Sequence, residues 1–326
     1  EDIEVEDLIA EEDMAITISN EGYIKRLAVS AYRKQKRGGK GVSAMTTKEE
    51  DFVKQLFVAS SKDYLLIFSN EGTVRWLKVY EIPIASRTAK GKNIVNLLSM
   101  GKDETISSIV AVKEFVDDQF IVMATAKGNV KKTKLSAYSN PRKSGIVGIT
   151  LEKGDALVGT ALSNGSHEVL LATKQGKALR FPEKLLRDMG RGAKGVRGIR
   201  LGKDDEVVSM LVFPSDVSKT GSTLLTAMSL GFAKRSDFEE YRVQSRGGKG
   251  IINVKVTERN GYVVGVLSVM PEDEIMAVTK NGMMVRCPPN EIRQTGRSTQ
   301  GVKLMNLDKG DMIMSVAIIA AKEDEE

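Results

Sequence analysis

The residues best suited to chemistry in this 326-residue chain are Gln35-Lys36-Arg37-Gly38-Gly39-Lys40-Gly41, preceded by Arg33 and Lys34. Adjacent glycines let a backbone approach an anion closely and present its N–H groups. The flanking lysines and arginines add charge, and arginine adds forked donors that match a phosphate. The chemistry is anion binding rather than bond-making. A near-copy stands at Gln244-Ser245-Arg246-Gly247-Gly248-Lys249-Gly250.

Candidates for bond-making are few. A single histidine (His167) and a single cysteine (Cys287) exclude a disulfide framework, thiolate metal clusters and His-rich metal sites. No metal site is expected. Gly190-Arg191-Gly192-Ala193-Lys194-Gly195 matches the dinucleotide pattern GxGxxG, but no βαβ unit surrounds it. Asn164-Gly165-Ser166 is a glycosylation sequon that matters only in a secreted protein. Trp76 and the tyrosines read as packing residues rather than base-stacking platforms.

The net charge of +6 is segregated. Residues 1–13 hold eight acids and no base, and Glu323 to Glu326 form a short acidic tail. Residues 14–321 therefore net +17. A body this basic points to a polyanion partner. No run of eighteen apolar residues exists, so no membrane-spanning helix is expected. The chain opens on Glu1 without a basic-then-apolar leader, so it reads as a piece of a longer, intracellular protein.

The elements that must position these bases come from a repeat. Six copies run from a leading to a closing glycine: Gly22 to Gly41, Gly72 to Gly91, Gly128 to Gly145, Gly176 to Gly195, Gly231 to Gly250 and Gly282 to Gly301. Three or four places after the leading glycine stand Lys25 and Arg26, Arg75, Lys131 and Lys132, Arg180, Lys234 and Arg235, and Arg286. Ten places after it stand Tyr32, Ile82, Tyr138, Leu186, Tyr241 and Ile292. Near the closing glycine stand Arg37, Arg87, Arg142, Arg191, Arg246 and Arg297, joined by Lys90, Lys143, Lys194 and Lys249.

Each copy opens on an apolar run of β character, such as Tyr64 to Phe68 or Val169 to Ala172, then a glycine turn and a second run, which predicts a hairpin. Glu183 to Asp188 is one of few stretches that read as a helical turn. A unit of roughly fifty residues has room for four short strands, and six such sheets protect their edges when arranged radially. The fold class is therefore all-β, a propeller-type disc, closed or spiral. The expected divisions are a linker over 1–13, blades over 14–62, 63–117, 118–165, 166–220, 221–272 and 273–321, and a tail over 322–326.

The six glycine-to-glycine windows net +7, +3, +5, +4, +2 and +2, so equivalent bases are expected on one basic rim. Bending a duplex once around such a disc, with its axis at roughly 35 Å, costs on the order of 20–30 kcal/mol. About twenty bases releasing counterions offset that, whereas one loop does not. Wrapping of double-stranded DNA is the leading expectation, and a basic scaffold for acidic proteins is the alternative. A stand-alone enzyme lacks an acid–base or nucleophile constellation.

On these residues the chain resembles the C-terminal domain of the A subunit of bacterial DNA gyrase. Glu6 to Asp13 leading to Ser19-Asn20-Glu21-Gly22-Tyr23-Ile24-Lys25-Arg26 is similar to the family's junction into its first blade. Gln35 to Gly41 is similar to its GyrA box, with Lys36 at a position usually held by arginine. The resemblance covers all six repeats. It implies a six-bladed β-pinwheel whose strands pair across blades, with DNA bent around the perimeter so that the enzyme introduces negative supercoils. The partners it implies are double-stranded DNA, the N-terminal breakage-reunion part of the same polypeptide, and the gyrase B protein in an A2B2 assembly in the bacterial cytoplasm, with no membrane. Catalytic tyrosine, ATP and magnesium are implied to lie elsewhere, leaving no catalytic residue and no cofactor here. The related topoisomerase IV domain, whose box is degenerate or missing, is the alternative within the resemblance. A role for the acidic tail in modulating the wrap is a further expectation.

Overall fold

Each apolar run of the sequence becomes the first strand of an antiparallel hairpin. The computed structural model describes residues 4–19, 21–28, 53–86, 89–281 and 283–319. The hairpins are β1 (Asp13–Ser19) with β2 (Tyr23–Ala28), β4 (Tyr64–Ser69) with β5 (Thr73–Lys78), β8 (Phe120–Thr125) with β9 (Asn129–Lys134), β12 (Glu168–Thr173) with β13 (Lys177–Pro182), β16 (Thr223–Met228) with β17 (Phe232–Asp237), and β20 (Glu274–Thr279) with β21 (Met284–Cys287). A third long strand pairs on the other side of each first strand: β3 (Val53–Ser60), β7 (Ile106–Val112), β11 (Leu157–Ser163), β15 (Val207–Phe213), β19 (Val263–Val269) and β23 (Ile313–Ile319).

The fourth strand comes from the following repeat. β6 (Lys92–Asn93), β10 (Ile146–Val147), β14 (Val196–Arg197), β18 (Ile251–Ile252) and β22 (Val302–Lys303) each follow a closing glycine and join the previous repeat's sheet. Sheet order is thus third, first, second, then borrowed strand. The sixth sheet has three strands among the described residues. The closing glycine is what admits the borrowed strand. At Gly195 φ is +84°, and a Cβ would fall 2.4 Å from the Val130 carbonyl of the receiving hairpin. Gly250 meets Ala178 in the same way at 2.5 Å. Only glycine fits so close an approach in the left-handed region.

Third strands face one another: β7 lies beside β11, β11 beside β15, β15 beside β19, β19 beside β23, and β23 beside β3. They form the centre, and the borrowed strands form the outer edge. The sheets pack face to face, so the cores lie between neighbouring blades. One joins Met14, Ile16 and Ile24 to Leu65, Ile67 and Leu77; another joins Leu170 and Ala178 to Leu224, Phe238 and Tyr241. The bulky tenth residue plugs each seam: Ile82, Tyr138, Leu186, Tyr241 and Ile292 are at most 1% exposed. Burying such a side chain is worth about 1.5–3 kcal/mol. Each sits at or just after a short 3-10 turn, at Val79–Glu81, Leu135–Tyr138, Glu183–Leu185, Phe238–Glu240 and Pro289–Glu291. The helical turn expected at Glu183 therefore recurs in repeats where the sequence did not signal it.

The acidic leading segment is docked. Glu6 pairs with Lys78 at 3.0 Å, the Lys78 ammonium lies 3.5 Å from the Tyr64 ring centroid, and the Ser61 hydroxyl donates to the Ala10 carbonyl at 2.7 Å.

Candidate nucleic-acid interface

The bases three and four places after the leading glycine lie on the second hairpin strand, and in the first five repeats the following repeat covers them. At the third place the contact is to the next closing segment. Lys25 donates to the carbonyls of Ser86 (3.1 Å) and Ala89 (2.7 Å), and Arg75 to that of Ser144 (3.4 Å). Lys131 reaches the carbonyls of Gly148, Gly190 (3.3 Å) and Arg191 (2.5 Å), and Lys234 that of Arg297 (2.8 Å).

At the fourth place the contact is to the segment around the seam plug. Arg26 donates to Ile82 (2.6 Å) and Tyr80 (3.1 Å), Lys132 to Glu183 (3.4 Å), Arg180 to Phe238 (2.9 Å) and Tyr241 (3.3 Å), and Arg235 to Ile292 (2.8 Å), all through backbone carbonyls. In the second repeat Trp76 takes this place, and its indole N–H donates to the Tyr138 carbonyl at 2.9 Å. Trp76 also stacks on Phe115, with centroids 4.8 Å apart, as its packing role requires.

This differs from the sequence expectation that these bases line a phosphate-facing rim. Arg75, Lys131, Lys132, Arg180 and Lys234 are buried, and Lys25, Arg26 and Arg235 are half-buried against carbonyls. The physical reason is the borrowed strand. Two residues of pairing cannot satisfy the strand edge, so the remaining carbonyls take side-chain donors. Arg75 and Arg180 also carry buried ion pairs, to Glu104 (2.6 Å) and Glu168 (2.5 Å). Burial, helped by Arg191, pushes Lys131 down to about 7; its carbonyl acceptors favour the charged form in opposition. Burial and Arg297 bring Lys234 to about 7 as well. Burial lowers Arg26 and Arg235 from the ordinary arginine value.

The closing segments form a belt. Arg191 donates to the carbonyl of Val147 (2.7 Å), Arg246 to that of Arg197 (2.5 Å), and Arg297 to those of Ile252 and Glu240 (2.9 Å). Backbone bonds run beside them: Thr150 N–H to Ala193, Arg200 N–H to Gly248, and Gly247 N–H to Gly198. Each closing segment thus lies across the borrowed strand of the repeat before it. The adjacent Gly247 and Gly248 of the near-copy box meet this neighbouring backbone.

Lys90, Arg142, Lys143, Lys194, Lys249 and Arg286 are exposed. Lys90 is 3.8 Å from Glu21. Arg142 and Arg191 flank an open groove of about 540 Å³ that also includes Val147 and Gly192. Gln35, Lys36, Arg37, Gly38, Gly39, Lys40 and Gly41, with Arg33, Lys34 and Arg87, lie outside the described residues.

The sequence reading missed other exposed cations that recur with the repeat. Arg197 and Lys303 stand two places after a closing glycine, and Arg187, Arg242 and Arg293 eleven places after a leading one. The signal was available, since Arg33 occupies that eleventh place in the first repeat. Cys287 is buried, and burial pushes its thiol up to about 11, away from reactivity.

The family profile described as DNA gyrase C-terminal domain, beta-propeller, matches residues 13–60, 63–113, 119–164, 167–214, 224–270 and 273–320. The A subunit of DNA gyrase from Salmonella typhimurium is 44% identical over 325 residues, covering 100% of this chain and 36% of that protein. The chain spans about a third of the length of the curated relatives it matches. Among solved structures, the C-terminal domain of DNA topoisomerase IV superposes with TM-score 0.80 at 26% identity, over 96% of this chain and 95% of that one. The DNA gyrase A C-terminal domain superposes with TM-score 0.74 at 26% identity, over 95% of this chain and 100% of that one.

Proposed function

The chain belongs to the DNA gyrase C-terminal domain, beta-propeller family, and on that footing we propose that it binds duplex DNA along its outer edge and bends the duplex around the disc. The observation that carries this is the belt. Exposed cations Arg142, Lys143, Lys194, Arg197, Lys249 and Lys303 recur on consecutive repeats, along closing segments and the borrowed strands they are hydrogen-bonded to. Phosphates presented along a curve need this recurrence and no base-specific donor. The domain acts without a catalytic residue of its own. It holds a curved segment for the strand-passing part of its own polypeptide, working with the gyrase B protein in the bacterial cytoplasm, where ATP and magnesium act. The box at Gln35 to Gly41 favours this over the topoisomerase IV reading, although the latter's domain superposes at least as well.

The test is energy transfer between dyes on the two ends of a short duplex. Transfer rises when the domain binds and falls again as salt is added. Binding without any rise in transfer sinks the wrapping reading. In the reassembled enzyme, replacing Gln35 to Gly41 with alanines abolishes supercoiling and leaves relaxation; equal loss of both contradicts the role given to the box.

A further inference from the structure

One rim position has no packing duty and yet alternates in chemistry. The second residue after the closing glycine is Val147, Arg197, Ile252 and Lys303 in the third to sixth repeats, and all four are exposed. Val147 is 51% and Ile252 43% exposed. Arginine and lysine occupy the same place in alternate blades, so the fold does not require an apolar side chain there. Each apolar residue is held beside a cation: Arg191 donates to the Val147 carbonyl and Arg297 to that of Ile252. An isolated exposed valine needs no explanation. Two apolar residues at one repeat position on the outer edge, each with a guanidinium group at its backbone carbonyl, do.

The spacing fits a duplex. A chain of this length has a radius of gyration of about 20 Å, which places a duplex laid on the rim at an axis radius of roughly 35 Å. One blade then spans about 37 Å of DNA, close to the helical turn of about 34–36 Å. Equivalent positions on successive blades therefore meet the same groove. Val147 and Ile252, two blades apart, meet it two turns apart, with Arg197 at the turn between them. The apolar group that the four base pairs expose in a groove is the thymine C5-methyl at the edge of the major groove.

We infer that Val147 and Ile252 are specificity-determining contacts that take thymine methyl groups about two helical turns apart, giving the wrap a preferred phase. This rests on the wrapping reading. The experiment compares binding of the full chain to a duplex of about 42 bp, four turns, with the same duplex in which uracil replaces every thymine and so removes only the methyl. The wild-type chain holds the thymine duplex about fifteenfold tighter at equal salt, as two fully buried methyl groups predict. The pair V147S/I252S holds the two duplexes alike, and V147I/I252V keeps the preference. Equal binding of both duplexes by the wild type, with bending intact, overturns this inference alone, as does a preference that survives in V147S/I252S. Failure to retain either duplex overturns it together with the wrapping reading.

Discussion

Two rows of bases share one repeat and have opposite fates. The row on the second hairpin strand, exemplified by Lys131, Arg180 and Lys234, is buried, with its cations on the carbonyls of the following repeat. The row on the closing segments, exemplified by Arg142, Lys143, Lys194 and Lys249, stands in solvent. Both recur with the repeat and both are basic, so periodicity and charge do not separate them. What separates them is whether another repeat lies on top. Part of the chain's positive charge joins blade to blade, and fewer bases are left in solvent than net charge suggests.

The contrast is greatest at Arg180. In Arg180→Ala, Glu168 loses its buried partner and the carbonyls of Phe238 and Tyr241 lose their donor. Breaking such a pair costs about 3–5 kcal/mol, so urea unfolding shifts strongly toward lower denaturant; a change under about 1 kcal/mol would dissolve the distinction between the rows.

The rim row is tested together in R142Q/K143Q/K194Q/K249Q. Stability stays within about 0.5 kcal/mol, while the slope of log affinity against log salt falls by about 3–4, near 0.9 per lost phosphate contact. An unchanged slope means those four side chains do not meet phosphate.

The pH dependence separates the rows further. Lys131 and Lys234 are held near 7, below the ordinary lysine value, so above about pH 7 the unfolded chain binds more protons than the folded one. Stability therefore rises with pH from about 7 toward the range where tyrosine titrates, near 10. There the trend reverses, because burial raises Tyr138 and Tyr241. K131M/K234M flattens the rise, whereas K194M/K249M leaves it in place. The smallest effect belongs to Lys90, whose ion pair with Glu21 is exposed and 3.8 Å long. Lys90→Gln moves unfolding by less than about 0.5 kcal/mol in a calorimetric scan.

Much of the fold was legible from residues in one dimension. The runs Tyr64 to Phe68 and Val169 to Ala172 are strands, and the glycine turns after them are hairpin turns, because both are local properties of side-chain pattern and φ. Tyr138 and Tyr241 were legible as packing residues because their place in the repeat is constant. The candidate interface was half legible. Arg142, Lys143, Lys194 and Lys249 are exposed on the closing segments. Lys131 and Arg180 looked identical to them, since a sequence carries no record of which carbonyl 60 or 61 residues ahead comes to lie beside each base.

Residue pattern alone dictates six copies of a β hairpin, a glycine at each end of the basic window, and a strongly basic body. These follow from short-range periodicity and composition. Folding in three dimensions settled the rest: the fourth strand is borrowed from the next repeat, one basic row is sealed beneath it, and the other is left facing water. Burial depends on chain segments far apart in sequence meeting at one edge, and no local pattern encodes that meeting.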